Sequence, residues 1–346
     1  MLYAQGTMSG KMIEGSEDSD SYNLLPYVIW GSSPIQCDND PFGRECVHTA
    51  LNRVIAATFP TSTVNCWGDS LTNGGTVGVT TPWPKALQSL FSGIRDTRAV
   101  INRGISGMTS QQVSSKFGAK PSLLTVQNNT IPASGPVSVV ATENSNLSSK
   151  ANYGNLTYMG TLAGIPGILS VGFNSADPDS AGTTMFTRTS AGSATLIPER
   201  SPFIITTNGW EKTVEVFWVG RNDLQSGNRY TNEEIIENID WMVRFLPTTE
   251  KRFVILGVTE ANFDSQNEYD RIIGINTMLV KKYPRNFIDI RKVLVNGYNA
   301  VLPNDVTAFN ANRIPPSLYQ DGLHLNDAGY AVVAQAVFAF INHNGW

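Results

Sequence analysis

The stretch N-C-W-G-D-S-L-T-N-G-G, residues 65–75, changes character halfway along its length. Its first residues are the end of a predicted strand, and residues 73–75 are typical of a turn. Ser70 lies between the two patterns. A serine at this place can cap the first turn of a helix, or it can act as a nucleophile if a base lies beside it. The stretch alone leaves both interpretations open.

Patterns of strands and helices alternate on both sides of a central region. Strands are predicted at 63–66, 97–102, 214–219, 253–258 and 287–290. Helices are predicted at 82–91, 111–117, 232–245, 269–283 and 326–342. This alternation predicts an α/β fold with a five-stranded parallel sheet and helices on both faces. In such sheets, ligands bind beyond the carboxyl ends of the strands.

The central region, residues 118–209, follows a different pattern. Only eight of its 92 residues are charged, and turn residues separate short β-type runs at 122–126, 137–141, 167–171, 184–188 and 203–206. The region therefore predicts an all-β insertion, a small sandwich or barrel. We divide the chain into an N-terminal arm (1–60), an α/β domain (61–117 and 213–346) and a β-rich inserted domain (118–212).

The composition excludes several classes of protein. The chain has 346 residues, of which 41% are hydrophobic and 16% charged, and its net charge is −4. We therefore expect no nucleic-acid partner, because nothing in the sequence attracts a polyanion. No apolar run is long enough for a membrane span and no signal-peptide pattern opens the sequence, so we expect no membrane partner.

The three cysteines and three histidines do not form a metal-binding pattern. Cys37 and Cys46 enclose a short loop rich in Asp, Pro and Gly, and they are either a disulfide formed under oxidising conditions or two free thiols. Cys66 lies in an apolar strand and is expected to be a small buried side chain.

A serine nucleophile needs a base, and one histidine is well placed to be that base. His48 lies in the N-terminal arm and His343 lies close to the end of the chain. His324 directly precedes the last helix and follows Asp321 by three residues. In one turn, this spacing lets the carboxylate accept a hydrogen bond from Nδ1–H, which leaves Nε2 free to take the serine proton.

An acyl-transfer site also needs hydrogen-bond donors for an oxyanion. The backbone N–H of Gly107, the side chain of Asn222 and the backbone N–H of Ser70 are candidates. Each residue also has an ordinary interpretation. Ser70 can be a cap, Gly107 a turn residue, Asn222 part of a loop that starts a helix, and His324 a structural histidine.

Four motifs in a fixed order decide between these interpretations. G-D-S-L at 68–71, N-R-G-I-S-G-M-T at 102–109, G-R-N-D at 220–223 and D-G-L-H at 321–324 resemble the four blocks of the SGNH hydrolases, or GDSL esterases. The resemblance covers about residues 62–117 and 213–346. It implies a flavodoxin-like three-layer sandwich that needs neither a metal nor an organic cofactor. The G-D-S-L-T context also differs from the G-x-S-x-G elbow of α/β-hydrolases.

The resemblance also implies roles for individual residues. Ser70 would be the nucleophile, His324 the base and Asp321 the acid that orients it. Gly107, Asn222 and the Ser70 N–H would form the oxyanion hole. From the same motifs we expect substrate contacts at Asp69, Asn73 and Asp223.

The insertion departs from the compact pattern of the family, because 115 positions separate Gly107 from Asn222. We expect the insertion to leave from the catalytic edge of the sheet, to return there and to shape a groove for a large substrate. The alternative is a β domain without substrate contact.

A second, weaker resemblance concerns the insertion itself. Its I-P-A-S-G stretch (131–135) and F-T-R-T stretch (186–189) look like inserts in esterase domains of bacteriophage tail proteins. Such a protein would remove O-acetyl groups from a carbohydrate, here a bacterial surface polysaccharide. It would be found in the virion tail or outside the cell, and it would be a homotrimer if it is part of a tail fibre.

Two other functions remain open. The first is a lipid or thioester hydrolase of the same family, although the insertion rich in Ser, Thr and Asn favours sugars. The second is a non-catalytic module that binds a glycan. The complete set of Ser70, Asp321 and His324 argues against this second alternative, because a pure binding protein does not need all three.

Overall fold

A computed structural model of the chain describes residues 63–143, 156–173, 181–206, 213–228, 230–246 and 251–346. The predicted N-terminal arm, with His48 and the question of a Cys37–Cys46 disulfide, lies outside the described residues. Cys66 is described, and it is a free and fully buried cysteine, as the sequence predicts.

The described residues form two groups of strands connected by helices. In chain order the strands are β1 (Val64–Gly68), β2 (Val100–Asn102), β3 (Ser122–Val126), β4 (Thr130–Ile131), β5 (Pro136–Glu143), β6 (Leu156–Leu162), β7 (Ile165–Phe173), β8 (Ala181–Arg188), β9 (Thr195–Leu196), β10 (Ser201–Ile205), β11 (Val214–Trp218), β12 (Phe253–Leu256) and β13 (Phe287–Ile288). The helices are α1 (Ser70–Asn73), α2 (Trp83–Gly93), α3 (Ser110–Phe117), α4 (Arg221–Asn228), α5 (Asn232–Phe245), α6 (Gln266–Lys282), α7 (Ile290–Asn296), α8 (Pro303–Asn310) and α9 (Asp327–His343). Two short 3-10 helices lie at Gln127–Asn129 and Pro316–Leu318.

The first group is a parallel sheet with the strand order β13-β12-β11-β1-β2. Its central pair, β1 and β11, aligns Val64 with Val214 and Gly68 with Trp218. Numbered along the chain within this sheet alone, the strands have the order 2-1-3-4-5, which is the flavodoxin-like arrangement. The predicted five-stranded parallel sheet is therefore confirmed.

The parallel sheet has a hydrophobic core on each face, because its side chains alternate between the faces. Val216 and Trp218 of β11 pack in a core with residues of α2, α7 and α9. Phe217, between them, packs in the other core with residues of α3, α5 and α6. The sheet is thus the middle of three layers, as the family resemblance implies.

The second group is a closed antiparallel barrel with the strand order β10-β3-β5-β8-β7-β6. Leu124, Leu169, Phe186 and Phe203 are among the buried residues of its core. A separate two-stranded pairing joins β4 to β9. The barrel is compatible with an inserted β domain, and its strands lie within the limits predicted for one.

The barrel joins the parallel sheet at the edge where the parallel strands begin. Leading into the barrel, α3 ends at Phe117, whose ring lies 5.9 Å from that of Phe245 at the end of α5. The strand that follows the barrel, β11, begins beside β1, where the Val214 N–H donates to the Thr63 carbonyl over 2.9 Å. We call this edge the amino edge, and the opposite one, where the strands end, the carboxyl edge.

This attachment contradicts the expectation that the insertion leaves from the catalytic edge and returns there. The motif at 102–109 does lie at the carboxyl edge, but α3 carries the chain away from it before the barrel begins. The sequence analysis predicted the helix at 111–117 but did not take into account that this helix carries the chain to the opposite edge of the sheet.

The helices that the sequence predicted and those that it missed differ mainly in length. Residues 232–245 form a helix with the predicted bounds, Asn232–Phe245, because Thr231 and Glu234 form a capping box at its start. The helices α1, α4, α7 and α8 were not predicted, since each has eight residues or fewer and shows too little periodicity. The strand β6 was missed as well. None of the described helices combines the length and the apolar character that crossing a bilayer requires.

Candidate active site

Ser70 lies just beyond the carboxyl end of β1, and Asn222 lies just beyond that of β11. The chain runs from β1 to β2 on one side and later adds β11 on the other side, so the strand order reverses between β1 and β11. Such a switch point opens a crevice at the carboxyl edge, which is where α/β sheets bind ligands.

The turn that presents Ser70 is defined by the residues around it. The Leu71 N–H donates to Asp69 Oδ1 over 2.9 Å, so Asp69, and not Ser70, is the cap of α1. The helix ends after one turn at Gly74, which has a φ of 70°. Ser70 is the first helical residue, a position whose N–H has no acceptor within the helix. That N–H is therefore available to a ligand.

Glycines on both sides of the turn allow a close approach of backbones. A Cβ on Gly68 would lie 2.5 Å from the Trp218 carbonyl oxygen, and one on Gly104 would lie 2.4 Å from the Asn73 nitrogen. Neither distance is compatible with a side chain, so both positions require glycine. The Ile105 N–H also donates to the Gly68 carbonyl over 3.0 Å, which attaches the motif at 102–109 to the turn.

His324 joins Ser70 to Asp321 in one chain of hydrogen bonds. Its Nε2 lies 2.8 Å from Ser70 Oγ, and its Nδ1 lies 2.7 Å from Asp321 Oδ2. With a proton on Nδ1, the ring donates to the carboxylate and accepts from the serine hydroxyl. Ser70 and His324 are 254 positions apart in the sequence.

The carboxylate of Asp321 is held in place by the loop that contains it. The N–H groups of Leu323 and His324 donate to Oδ1 over 3.0 and 2.7 Å. Partial burial opposes the charged form, but hydrogen bonds from the His324 ring and from these two N–H groups outweigh it, so the pKa of Asp321 is lowered below its usual value. Asp321 is therefore an anion at neutral pH, as the orienting partner of a histidine must be.

Gly107, in the loop before α3, and Asn222, in the first turn of α4, lie at the same edge. Gly107 is exposed and has a φ of 76°, a conformation that favours glycine. Asn222 Nδ2 donates to the Met108 carbonyl over 3.0 Å, which joins the two segments. An amide nitrogen carries two hydrogens, so this bond leaves Asn222 one N–H to offer. The structure thus brings all the predicted triad and oxyanion residues to one edge, while their catalytic roles stay predictions.

Two of the three predicted substrate contacts need correction. The carboxylates of Asp69 and Asp223 are 1% and 0% exposed. Asp223 accepts hydrogen bonds from the N–H and the hydroxyl of Ser110, over 2.8 and 2.6 Å. A substrate cannot reach either group in this structure, so both have supporting positions behind the site. Asn73 is half-buried, and its Nδ2 donates to the Gly104 carbonyl over 3.1 Å.

Burial has a second effect on Asp69. It raises the pKa of the carboxyl from 3.8 to about 7, and the nearby charge of Asp223 adds to the effect, against the Leu71 N–H and the Arg221 charge. Its second oxygen, Oδ2, has no hydrogen-bond partner among the described residues. Asp69 therefore changes protonation near neutral pH, directly behind the serine.

The sequence reasoning missed one ion pair at this edge. Arg221, beside Asn222, binds Asp264 in the loop after β12. Arg221 could have been noticed as the one basic residue of the G-R-N-D motif, but nothing in the sequence identifies Asp264 as its partner. Among the described residues, no cluster of three or more His, Cys, Asp and Glu side chains could hold a metal ion.

Comparisons with known proteins identify no close relative. No model of a protein family matches the chain, and no curated protein matches it. Among solved structures, a GDSL-like lipase from Bacteroides thetaiotaomicron is 13% identical, with 86% of this chain and 98% of that chain covered and a TM-score of 0.43. An esterase, EstA, from Pseudoalteromonas is 11% identical, with 82% and 97% covered and a TM-score of 0.42. A member of the lipolytic G-D-S-L family from Veillonella parvula is 13% identical, with 80% and 97% covered and a TM-score of 0.42. Similarity at this level says nothing about the chemistry of the site.

Proposed function

We propose that the protein is a serine ester hydrolase. The observation that carries this proposal is the chain of hydrogen bonds from Ser70 through His324 to Asp321. A serine hydroxyl becomes a useful nucleophile when a base accepts its proton, and the base works best when an anion fixes its tautomer. The side chain of His324 is 19% exposed and that of Asp321 is 43% exposed, so the site is open to a substrate from solvent.

The proposed reaction has two steps through an acyl-enzyme. Ser70 Oγ attacks the ester carbonyl while His324 Nε2 takes its proton, and His324 then gives that proton to the departing alcohol oxygen. Water activated by His324 next hydrolyses the acyl group from Ser70. The N–H groups of Ser70 and Gly107 and the remaining amide N–H of Asn222 would stabilise the oxyanion in both steps.

The finer part of the proposal is the substrate, an O-acetylated carbohydrate such as a bacterial surface polysaccharide. The loop that follows the nucleophile, residues 73–81, has no charged residue and consists of Asn, Gly, Thr and Val. Its glycines and threonines are partly or fully exposed, except for the buried Gly74. Such a border suits a neutral ligand rich in hydroxyl groups.

One variant tests the ester hydrolase. Ser70→Ala should lower the turnover of p-nitrophenyl acetate by about 10³-fold or more, because the nucleophile is lost. The Tm should stay unchanged, because Asp69 caps α1. A variant that keeps more than about a tenth of the wild-type rate would contradict the assignment, since loss of a catalytic serine costs far more.

A second experiment tests the substrate class. Acetate release should be measured from a panel of bacterial O-antigens and capsules, with wild-type protein beside Ser70→Ala. Release by the wild type alone supports carbohydrate O-deacetylation. A rate that rises from acetyl to octanoyl esters, without acetate release from any polysaccharide, would favour the lipid or thioester hydrolase. Binding of a polysaccharide with no acetate release would favour the glycan-binding module.

A further inference from the structure

The loop between β12 and α6, residues 257–265, is held at both of its ends. Near its start, the Val258 N–H donates to Asn276 Oδ1 over 2.8 Å, and Asn276 Nδ2 donates to the Val258 carbonyl over 2.9 Å. At its end, Ser265 forms a capping box with Glu268 at the start of α6. A loop fixed in this way can hold other groups in place.

Near its end, this loop binds Arg221 through a buried ion pair. The two terminal nitrogens of Arg221 donate to the two oxygens of Asp264 over 2.7 and 2.6 Å. The side chains are 4% and 1% exposed, and the Ala261 N–H also donates to Asp264 Oδ2 over 2.8 Å. Two parallel hydrogen bonds fix both the distance and the orientation of a guanidinium. The ion pair therefore fixes the residue directly before Asn222.

The same loop also contacts the turn that contains Asp321 and His324. The Asn262 N–H donates to the Gly322 carbonyl over 2.8 Å, one residue after Asp321. A Cβ on Gly322 would lie 2.4 Å from Asn262 Oδ1, and the φ of Gly322 is 86°. One rigid loop thus borders both the residue that offers an oxyanion donor and the turn that holds the acid and the base.

We propose that Asp264 is a positioning residue that acts through Arg221 to hold the amide of Asn222 at the place where an oxyanion develops. The inference rests on the proposed ester hydrolysis. Asp264 is too deeply buried to touch a substrate, so its effect passes through the neighbouring residue. A displacement of about 1 Å at a reacting centre can lower a rate by about 10²-fold. An oxyanion donor is sensitive to such a displacement because it acts only on the charge of the transition state.

Asp264→Asn tests the proposal, because it keeps the shape of the side chain and removes its charge. We expect kcat for p-nitrophenyl acetate to fall about tenfold with KM unchanged, the pattern of an interaction made only in the transition state. Asn222→Ala should lower kcat about 10²-fold. The double variant should fall no more than about twofold below Asn222→Ala, because residues that act as a unit do not contribute independently.

Two further variants make the result specific. Arg221→Lys keeps the charge but cannot form two parallel bonds, so it should show the same fall in kcat if Asp264→Asn does not fold. Asp96→Asn is the matched control, since Asp96 pairs with Arg98 in side chains that are 14% and 12% exposed, just before β2 begins at the amino edge. It should leave kcat unchanged.

Some outcomes would overturn the proposal. One is an unchanged kcat in Asp264→Asn, even with a lower Tm. Another is an equal fall in kcat whether or not Asn222 is present, which would show that Asp264 acts elsewhere. The proposed function fails by a different result, namely wild-type turnover that survives Ser70→Ala, so the two failures can be told apart.

Discussion

The two central strands of the parallel sheet are buried along their whole length, whereas β3 and β10 of the barrel alternate between buried and partly or fully exposed residues. All five residues of β1 and all five of β11 are buried, and in β3 only every second residue is. The cause is the number of covered faces. Helices cover both faces of the sheet, while the barrel encloses a core on its inner side only.

The two regions also differ in the chemistry that they carry. The candidate triad, the donors for an oxyanion and the carboxyl of Asp69 with its raised pKa all lie at the carboxyl edge of the sheet. The barrel joins at the amino edge and supplies none of these residues. We therefore expect substitutions in the candidate triad to change activity without stability, and substitutions in the core of the barrel to change stability without activity.

The largest expected effect is a loss of activity at the carboxyl edge of the parallel sheet. Asp321→Asn keeps the shape of the acid but cannot hold the tautomer of His324, so kcat for p-nitrophenyl acetate should fall by about 10³- to 10⁴-fold. The Tm should barely move, because the side chain is 43% exposed. Asp270→Asn, an exposed acid on α6, is the control and should have wild-type kinetics. A fall of less than about tenfold would remove Asp321 from the site, since it is far below the loss known for such an acid.

The barrel should show the opposite behaviour. Phe186 is fully buried, and its ring lies 6.3 Å from that of Phe203. Phe186→Ala leaves a cavity and should lower the free energy of unfolding by about 3–5 kcal/mol. Thr183→Ala, at an exposed position of the same strand, should change it by less than about 0.5 kcal/mol. Chemical denaturation measures both. If Phe186→Ala also lowers kcat for p-nitrophenyl acetate where the protein is fully folded, the separation of the two regions is wrong.

A glycine at the carboxyl edge should affect both properties. A Cβ in Gly104→Ala would meet the backbone of Asn73, so the turn that carries Ser70 must shift. We expect a loss of about 1–3 kcal/mol in the free energy of unfolding, as for other overpacked sites, together with a lower kcat. The control is Gly93→Ala, where a Cβ meets nothing within 4 Å. Equal kinetics in the two variants would show that the turn tolerates the shift.

The smallest expected effect depends on pH. Because the pKa of Asp69 is raised from 3.8 to about 7 by burial, the folded protein keeps a proton that the unfolded chain loses. The stability that the protonated Asp69 carboxyl contributes is complete below pH 3.8 and is lost as the pH rises to about 7. Asp69→Asn cannot ionise but can still cap α1. The Tm of the variant minus that of the wild type should therefore rise by about 2–4 °C between pH 5 and pH 8. Thermal unfolding across this range measures the difference, and a constant difference would contradict the raised pKa.

The sequence predicted the parallel sheet because patterns of strands and helices alternate along the chain and several of its long helices have caps. Asn232–Phe245 was found with its observed bounds, since both its capping box and its periodicity are local signals. The strand β6 was missed because Leu156, Met159 and Leu162 recur every three residues and do not alternate with a period of two. The place where the barrel joins was also wrong, because it depends on the direction of α3 relative to the sheet and not on any motif.

The candidate site was predicted to the extent that short motifs mark it. Ser70, Gly107, Asn222, Asp321 and His324 each lie in a recognisable block, and the structure brings the blocks together. Asp69 and Asp223 belong to the same blocks, yet whether a motif residue faces the substrate or the core depends on the packing behind it. Asp264 lies outside every block, so only the three-dimensional structure connects it to Arg221.

The two edge strands of the parallel sheet affect how copies of the protein can associate. The border strands β2 and β13 have three and two residues, and the barrel closes on itself. Aggregation through strands needs a long unpaired edge on which another chain can add hydrogen bonds. In the part of the chain that the structure describes, neither the barrel nor the borders of the sheet offer a long one. Copies of the protein should therefore resist association through these described strands.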